Sequence, residues 1–492
     1  MSLSSTATVS SGKKRARVSF WLTVAGLLAL GCGDFEVNQT DPGLIFTRML
    51  DGLMHLDFGS LRQLGQMTAT TIAFALVGVG AAILPGFVLS LGYHLLPIRV
   101  LCGFCRSIHE LFWGLLFLQL WGPSPITGLL AIAVPFSCIF AKVYAEQMNA
   151  SGADTYTPDG DRLSRLIYSR VAKSWPAMCH YSRYRFECGL RSATLLGFIG
   201  LPTIGYALDA SLREMDFDYA LALLVVFYLL TASIRLWLRP LLIPVLLVAS
   251  VYFLSPLATY QGVGLWLFIS HDLLPYPLQQ GIDIESIKTT LWWLYQLFDD
   301  AGFSAIANTL LLTVAATFAS AVLCLVLFPL AKKHSLIGRL LGRPLLVLLR
   351  ATPELMLVFI VLLITGPSML PAVIALALHN GALLAFLLAK QLDLMPRQKH
   401  DIGGINSWAY YSLPQLFGPF LALLFYRAEH ILRESAVVGM VGIATLGFYI
   451  DSGFEDIQLD VAFIFIVVTA LLTLLTDALS RRIQRYIGIV SC

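Results

Sequence analysis

The chain has 492 residues, of which 57% are hydrophobic and only 13% charged, with a formal net charge of +3 and a mean hydropathy of +0.77. Soluble globular chains carry about 25% charged residues, so this composition excludes a soluble protein and indicates an integral membrane protein. A helix that crosses a bilayer needs about 20 apolar residues. In chain order, about twelve stretches qualify, centred on 18–32, 67–92, 107–121, 125–145, 186–209, 217–237, 241–256, 303–330, 345–365, 370–389, 417–450 and 460–479. The shortest are 107–121 and 241–256. The first, KKRARVSFWLTVAGLLALGCGD, has the basic start and Gly-Cys of a cleaved lipoprotein signal. Ala29 stands three residues before Cys32, where such a signal has leucine, so an uncleaved first span is expected. Next, Ile45, Met49, Leu53 and Leu56 share one helical face, which predicts an amphipathic helix on the outer membrane surface. Trp292, Trp293 and Tyr295 fit an aromatic belt.

Charge placement orients the spans. Lys13, Lys14, Arg15 and Arg17, then Arg162, Arg165, Arg170 and Lys173, then Arg235 and Arg239 fall on one face of a twelve-span arrangement. Lys332, Lys333, Arg339, Arg343, Arg397, Lys399, Arg481, Arg482 and Arg485 fall on the same face, and the opposite loops hold acids such as Asp34, Glu36, Asp41, Asp283 and Asp299. Positive loops stay inside, so both termini of a multi-pass membrane protein are expected in the cytoplasm.

The chain repeats itself. YRFECGLRSATLLGFIGLPTIGYALD at 184–209 aligns without a gap with YRAEHILRESAVVGMVGIATLGFYID at 426–451, at a constant offset of 242. Tyr184, Arg185, Glu187, Leu190, Arg191, Gly197, Gly200, Thr203, Gly205 and Asp209 each meet an identical residue. Upstream, RSIHELFWGLLFLQLWGPSP at 106–125 meets RATPELMLVFIVLLITGPSM at 350–369 at an offset of 244, and Pro85 meets Pro329 at that same offset. Six spans per copy is an even number, so both copies enter the membrane the same way round, as a parallel repeat. The expected fold is therefore an all-α membrane protein of about twelve transmembrane helices, with one domain at 1–239 and the other at 240–492.

Within the fifth span of each copy, Glu187 and Arg191, and Glu429 and Arg433, stand four residues apart with the acid first, the favourable order on a helix. A lone charge inside a bilayer costs about 2.5–3.5 kcal/mol on insertion scales, so pairing or water access is needed. Two readings follow: structural ion pairs, or an anion path in which the two arginines face each other. Gly197, Gly200 and Gly205, echoed by Gly439, Gly442 and Gly447, permit close backbone approach or a helix break. Thr203 and Thr445 would add hydroxyls to a pore-lining bend. Arg106 with Glu110, and Arg350 with Glu354, begin the third span and read as interfacial anchors. The eight cysteines read as packing residues, and no metal site is expected. No G-x-x-x-x-G-K-[ST] occurs, so this chain is not itself an ATPase. Nor does it hold a nucleophile–base set, which leaves a membrane-embedded enzyme as the weakest reading.

The doubled motif YR-x-E…RSATLLGFIG…IGY, with RSI-x-EL upstream, resembles the permease subunits of phosphonate/phosphite-type ABC importers, over about 67–238 and 305–480. The resemblance implies a bacterial inner-membrane protein with a type I importer transmembrane domain in each half, the two fused in one chain. It also implies a loop after the fourth span that carries a short helix docking on a cytoplasmic P-loop ATPase dimer. A periplasmic binding protein would deliver a small oxyanion, ATP would be bound by the partner subunit, and the chain itself would need no cofactor and bind no nucleic acid. The coupling residues would be Gly160, Leu163, Leu166 and Ile167 in the first loop, and Ile405, Trp408, Leu413 and Pro414 in the second. Leu163, Leu166 and Ile167 form one apolar stripe at i, i+3 and i+4. The halves differ where the family pattern has Leu-Pro, since the first has Val171-Ala172. They differ again at His109, opposite Pro353, and at Pro135, opposite His379. The alternative is a twelve-span secondary transporter of the major facilitator type, which is also a six-plus-six repeat. That class has a long middle loop and a charged motif after its second span, and this chain has neither.

Overall fold

The computed structural model describes residues 3–150, 165–254, 265–279, 281, 283–331, 338–394, 406 and 408–488. Every long apolar stretch among them is helical, and none forms a strand. The first half contains α1 (Leu3–Cys32), α2 (Pro42–Met54), α3 (Leu61–Leu91), α4 (Leu96–Ser107), α5 (Glu110–Trp121) and α6 (Pro125–Ala150). After these come α7 (Ala172–Leu195), α8 (Ile204–Arg213) and α9 (Phe217–Trp237). The second half contains α10 (Ile243–Leu254), α11 (Ile284–Leu297), α12 (Phe303–Leu327), α13 (Arg343–Ala351) and α14 (Glu354–Thr365). It ends with α15 (Leu370–Leu394), α16 (Leu413–Val437), α17 (Leu446–Glu455) and α18 (Leu459–Tyr486).

Seven helical runs are long and apolar enough to cross a membrane, and four bent pairs raise the number to eleven among the described residues. The short apolar α10 is a twelfth segment. The bends come in matched pairs: α4 and α5 meet at 91° and α13 and α14 at 98°, while α7 and α8 meet at 49° and α16 and α17 at 45°. At the sharper bend the residue that ends the first helix is extended, Ile108 at φ −84°, ψ 132° and Thr352 at φ −63°, ψ 126°. Pro353 enforces this for Thr352, because a proline ring clashes with a helical predecessor. In the first half the same corner is stabilised by a cap, Leu111 N–H donating to His109 Nδ1 at 3.2 Å.

Two compact units result, Thr47–Leu274 and a second made of Met1–Phe46 with Pro275–Cys492. In the first, α3 packs on α6, α7 and α10, and α6 also receives α4 and α5. In the second, α12 packs on α1, α15 and α16, and α18 packs on α16 and α17. The opening helix of each sequence half thus lies in the unit built mainly from the other half: α10 rests on α3, and α1 on α12. The segment after α1 is stitched to the same unit. Asn38 N–H donates to Thr365 O at 2.8 Å, Asn38 Nδ2 to Pro367 O at 2.9 Å and Gln39 Nε2 to Leu363 O at 2.9 Å.

The central helices touch through small residues, which let backbones come close where hydrophobicity alone gives helices no reason to associate. Gly78, Ala82 and Gly86 line the buried face of α3, and Ala316, Ser320 and Cys324 the buried face of α12. The two stripes correspond at an offset of 238. That register corrects the pairing of Pro85 with Pro329. Pro85 sits inside α3, whereas Pro329 lies in the 3₁₀ turn Phe328–Ala331 beyond the end of α12. The length difference falls in the connection to the third span, where chain length is free to vary.

Candidate functional site

The fifth span of each half breaks at the same place and in the same way. The α7 helix tightens into a 3₁₀ turn, Leu196–Ile199, and stops at Gly200, which has φ +87°. The α16 helix tightens over Val438–Val441 and stops at Gly442, with φ +88°. Only glycine takes that left-handed conformation without a steric penalty. Gly200 N–H then donates to Gly197 O at 3.0 Å and Leu201 N–H to Leu196 O at 3.3 Å, a Schellman ending that satisfies the last carbonyls.

Bare backbone holds the next helix against the first. A Cβ on Gly197 would lie 2.0 Å from Tyr206 N, and one on Gly205 would lie 1.9 Å from Thr194 O. In the second half the corresponding gaps are 2.1 Å from Gly439 to Phe448 N and 1.9 Å from Gly447 to Ala436 O. Neither joint has room for a methyl group. Thr203 Oγ1 donates to Thr194 O at 3.4 Å and Thr445 Oγ1 to Ala436 O at 3.2 Å. A neighbouring span completes the joint: Ile204 N–H donates to Thr71 Oγ1, and Leu446 N–H to Thr309 Oγ1, both at 3.0 Å. The first N–H groups of a helix have no partner within it, so these fully buried threonines supply what α8 and α17 lack. Beside the second joint lies a cavity of ≈ 410 Å³ lined by residues that include Asp34, Asn308, Ser368, Gly442 and Ala444.

Below the joint, the same buried positions are satisfied by different chemistry in the two halves. In the second half, Arg427 Nε donates to Asn380 Oδ1 at 2.9 Å and Arg427 Nη2 to Glu434 Oε1 at 3.1 Å. Asn380 Nδ2 closes the ring on Glu434 Oε2 at 2.9 Å. In the first half the arginine is Arg185, but Phe136 stands at the place of Asn380 and Ser192 at that of Glu434. Arg185 lies over the rings of Phe136 and Tyr181, each 5.3 Å from the guanidinium, and its Nε donates to Tyr181 Oη at 2.8 Å. Ser192 donates instead to Glu110 Oε1 at 2.7 Å.

The third-span glutamates show a second exchange. Glu354 meets His379 Nε2 at 3.0 Å, and Glu110 meets His109 Nε2 at 3.7 Å. One histidine comes from α15 and the other from the residue before α5, so the two proline–histidine differences between the halves place one histidine on each glutamate.

The structure places the sequence-derived residues as follows. Gly197, Gly200, Thr203 and Gly205, with Gly439, Gly442, Thr445 and Gly447, come together in the two joints. Glu187, Arg191 and Arg433 are half-buried and Glu429 is buried. Arg433 Nη2 lies 3.0 Å from His430 Nδ1. Gly160, Leu163 and Ile405 lie outside the described residues, while Leu166 and Ile167 belong to the π-helical turn Arg165–Val171. Trp408 is half-buried and packs against the core around Leu388, Leu416 and Phe420. Leu413 is half-buried and Pro414 exposed at the start of α16. Sequence reasoning passed over Thr71, Thr309, Asn380 and Glu434, which reach their partners only through tertiary contact. Arg185 and Arg427 were visible as an identity in the repeat but carried no assigned role. The cysteines, read from the sequence as scattered and without a C-x-x-C pair, do contain one in Cys102-Gly103-Phe104-Cys105. These thiols pack with Cys138 in an apolar cluster, and Leu346, Leu349 and Ala382 fill the corresponding core in the second half.

Comparison with known proteins gives one family match and several relatives. The family described as binding-protein-dependent transport system inner membrane component matches residues 328–488. A phosphate-import permease of Mycolicibacterium smegmatis is 24% identical over 428 residues, covering 78% of this chain and 77% of the relative. A phosphite transport system permease of Stutzerimonas stutzeri is 30% identical over 224 residues, covering 41% of this chain and 80% of the relative. No solved structure gives a significant match.

Two outcomes are expected from the geometry. Gly447→Ala should force the joint apart and lower stability by about 3 kcal/mol, the upper end of ordinary overpacking, whereas Gly65→Ala, inside α3 where the added methyl meets nothing within 4 Å, should be neutral to slightly stabilising. Thermal unfolding in detergent reads the difference. Separately, Glu434→Ala leaves Arg427 without its carboxylate and should cost about 3–5 kcal/mol, while the double change Arg427→Met with Glu434→Met should recover most of it. A double variant no more stable than the single one would mean that the pair is not what Glu434 contributes.

Proposed function

Because the chain belongs to the inner-membrane permeases of binding-protein-dependent ABC importers, in the phosphonate/phosphite-type group, we propose that it forms both halves of one oxyanion pore. The chain is a transport component and a multi-pass membrane protein, and the secondary-transporter alternative is set aside by the family match. The substrate proposed is phosphonate, phosphite or a related oxyanion, delivered by a periplasmic binding protein. The observation that carries the reading is the doubled joint: each half has the same broken fifth span, with the same glycines and threonines. Two such spans in one chain supply what a homodimeric permease needs two chains for. The repeat 1–239 and 240–492 is proposed as the pair of transmembrane domains, each lending its first helix to the other.

In this reading both termini lie in the cytoplasm, together with the two loops after the fourth spans. Gly160, Leu163, Leu166 and Ile167 would serve as one coupling surface, and Ile405, Trp408, Leu413 and Pro414 as the other. ATP binding by a separate P-loop ATPase dimer would draw these loops together and open the pore outward, and hydrolysis would return it inward, a rocking between two states. The joints would act as the bends at which the fifth spans narrow the pore. The Glu187–Arg191 and Glu429–Arg433 pairs would hold those spans within the bundle.

Uptake of phosphite or phosphate into vesicles should require ATP and the binding protein, and should not run on a proton gradient alone. Ile405→Asp and Leu163→Asp should each leave membrane insertion intact and weaken ATPase association. Ile405→Asp should be the more damaging, because its loop keeps Leu413-Pro414. Uptake driven by a proton gradient without ATP would overturn the reading, and unchanged ATPase binding in both variants would remove these loops as the coupling surface.

A further inference from the structure

The arginine shared by the two fifth spans has opposite electrostatic surroundings in the two halves. Arg427 is neutralised, with Glu434 and Asn380 taking its Nε and Nη2. Arg185 is not. Among the described residues no carboxylate stands against it, and the ionisable groups around it are Tyr181, Tyr184 and Cys188, all neutral in their ordinary state near pH 7. Among the described residues only its Nε meets a hydrogen-bond acceptor, the Tyr181 hydroxyl, while Phe136 and Tyr181 hold the guanidinium by their ring faces. Cation–π contact orients a guanidinium without cancelling its charge. The result is a half-buried cation where the fifth span begins, with the Nη fork unclaimed among the described residues.

A cation in that setting is costly unless an anion or water reaches it, and such residues mark the route of a transported ion. The fork matches an oxyanion, since two parallel N–H donors accommodate two oxygens of a tetrahedral phosphorus centre. Phe136 and Ser192 sharpen the contrast. If the second half's Asn380 and Glu434 stood there, the fork would be filled by protein. We propose that the Nη fork of Arg185 binds the anionic oxygens of the transported oxyanion, and that Arg427 is a structural counterpart held out of that role by Glu434 and Asn380. Substrate contact at this level of the pore is then one-sided, in spite of the repeat. The inference rests on the oxyanion reading of function above.

The test uses the full chain with its ATPase and binding protein in proteoliposomes, with ATP-driven uptake of inorganic phosphate, phosphite and methylphosphonate each measured. Arg185→Gln, which keeps a polar side chain and removes the charge, should give a normal yield of folded protein and cut uptake about tenfold or more. Arg185→Lys should restore part of it, because a point cation still attracts the anion but lacks the fork. Arg427→Gln should instead lower the folded yield. Wild-type uptake by Arg185→Gln would overturn the proposal, as would loss of folded protein in both Arg185 variants, the pattern of a purely structural arginine. If the wild-type complex imports none of the three probes, the oxyanion reading fails and takes this proposal with it, whereas the preceding outcomes overturn the proposal alone.

Discussion

The contact on which the molecule depends is backbone against backbone, where each fifth span folds over itself between a left-handed glycine and a helix start. Gly205 against Thr194 O and Gly447 against Ala436 O leave no space for a side-chain carbon. Helices in a membrane cannot gain much by hiding apolar surface from lipid, so close packing and hydrogen bonds carry their association. A broken helix raises the stakes, because each free N–H or C=O in that medium costs several kcal/mol. The joint meets this with a Schellman ending, a threonine reaching back across it and a threonine hydroxyl from the adjacent span. Stable irregular backbone at membrane depth occurs where it is buried in protein or lines a water-filled cavity, which fits its place in a permease.

Duplication preserved the joints and let their surroundings drift in compensated steps. Where the second half has the ring of Arg427, Asn380 and Glu434, the first has an arginine between aromatic rings and a serine turned to Glu110. Where one half has a histidine before its third-span glutamate, the other brings one from the next helix. Asn380, Glu434 and Ser192, all buried, each find a polar partner within their own half, as low-dielectric interiors favour. A homodimer could not have drifted in this way, since both copies of each residue would change together. Two copies of the motif within one sequence are free to differ.

Much of this was legible in the sequence, for a physical reason in each case. Spans are visible because lipid forces long apolar runs. The joints are visible because left-handed backbone and zero-clearance contacts both demand glycine, and the chain demands it twice. The partner of each joint was not visible. Thr71 and Thr309 are ordinary helix threonines until packing brings them to Ile204 and Leu446, and the register of their helices lies at an offset of 238, unlike the 242 and 244 of the motifs around them. The Arg427–Glu434 pair spans seven residues of one helix, outside the three- or four-residue spacing by which sequence reasoning looks for pairs. The exchange of α1 and α10 was equally hidden, because hydropathy identifies a span and says nothing of its neighbour.

The proposal that one chain supplies both transmembrane domains has a stoichiometric consequence. Native mass spectrometry of the complex released gently from membranes should find a single copy of this chain with two copies of a P-loop ATPase. A complex with two copies of the chain, or purification of the intact chain with no ATPase under conditions that keep the binding protein attached, would contradict a fused permease built around two equivalent joints.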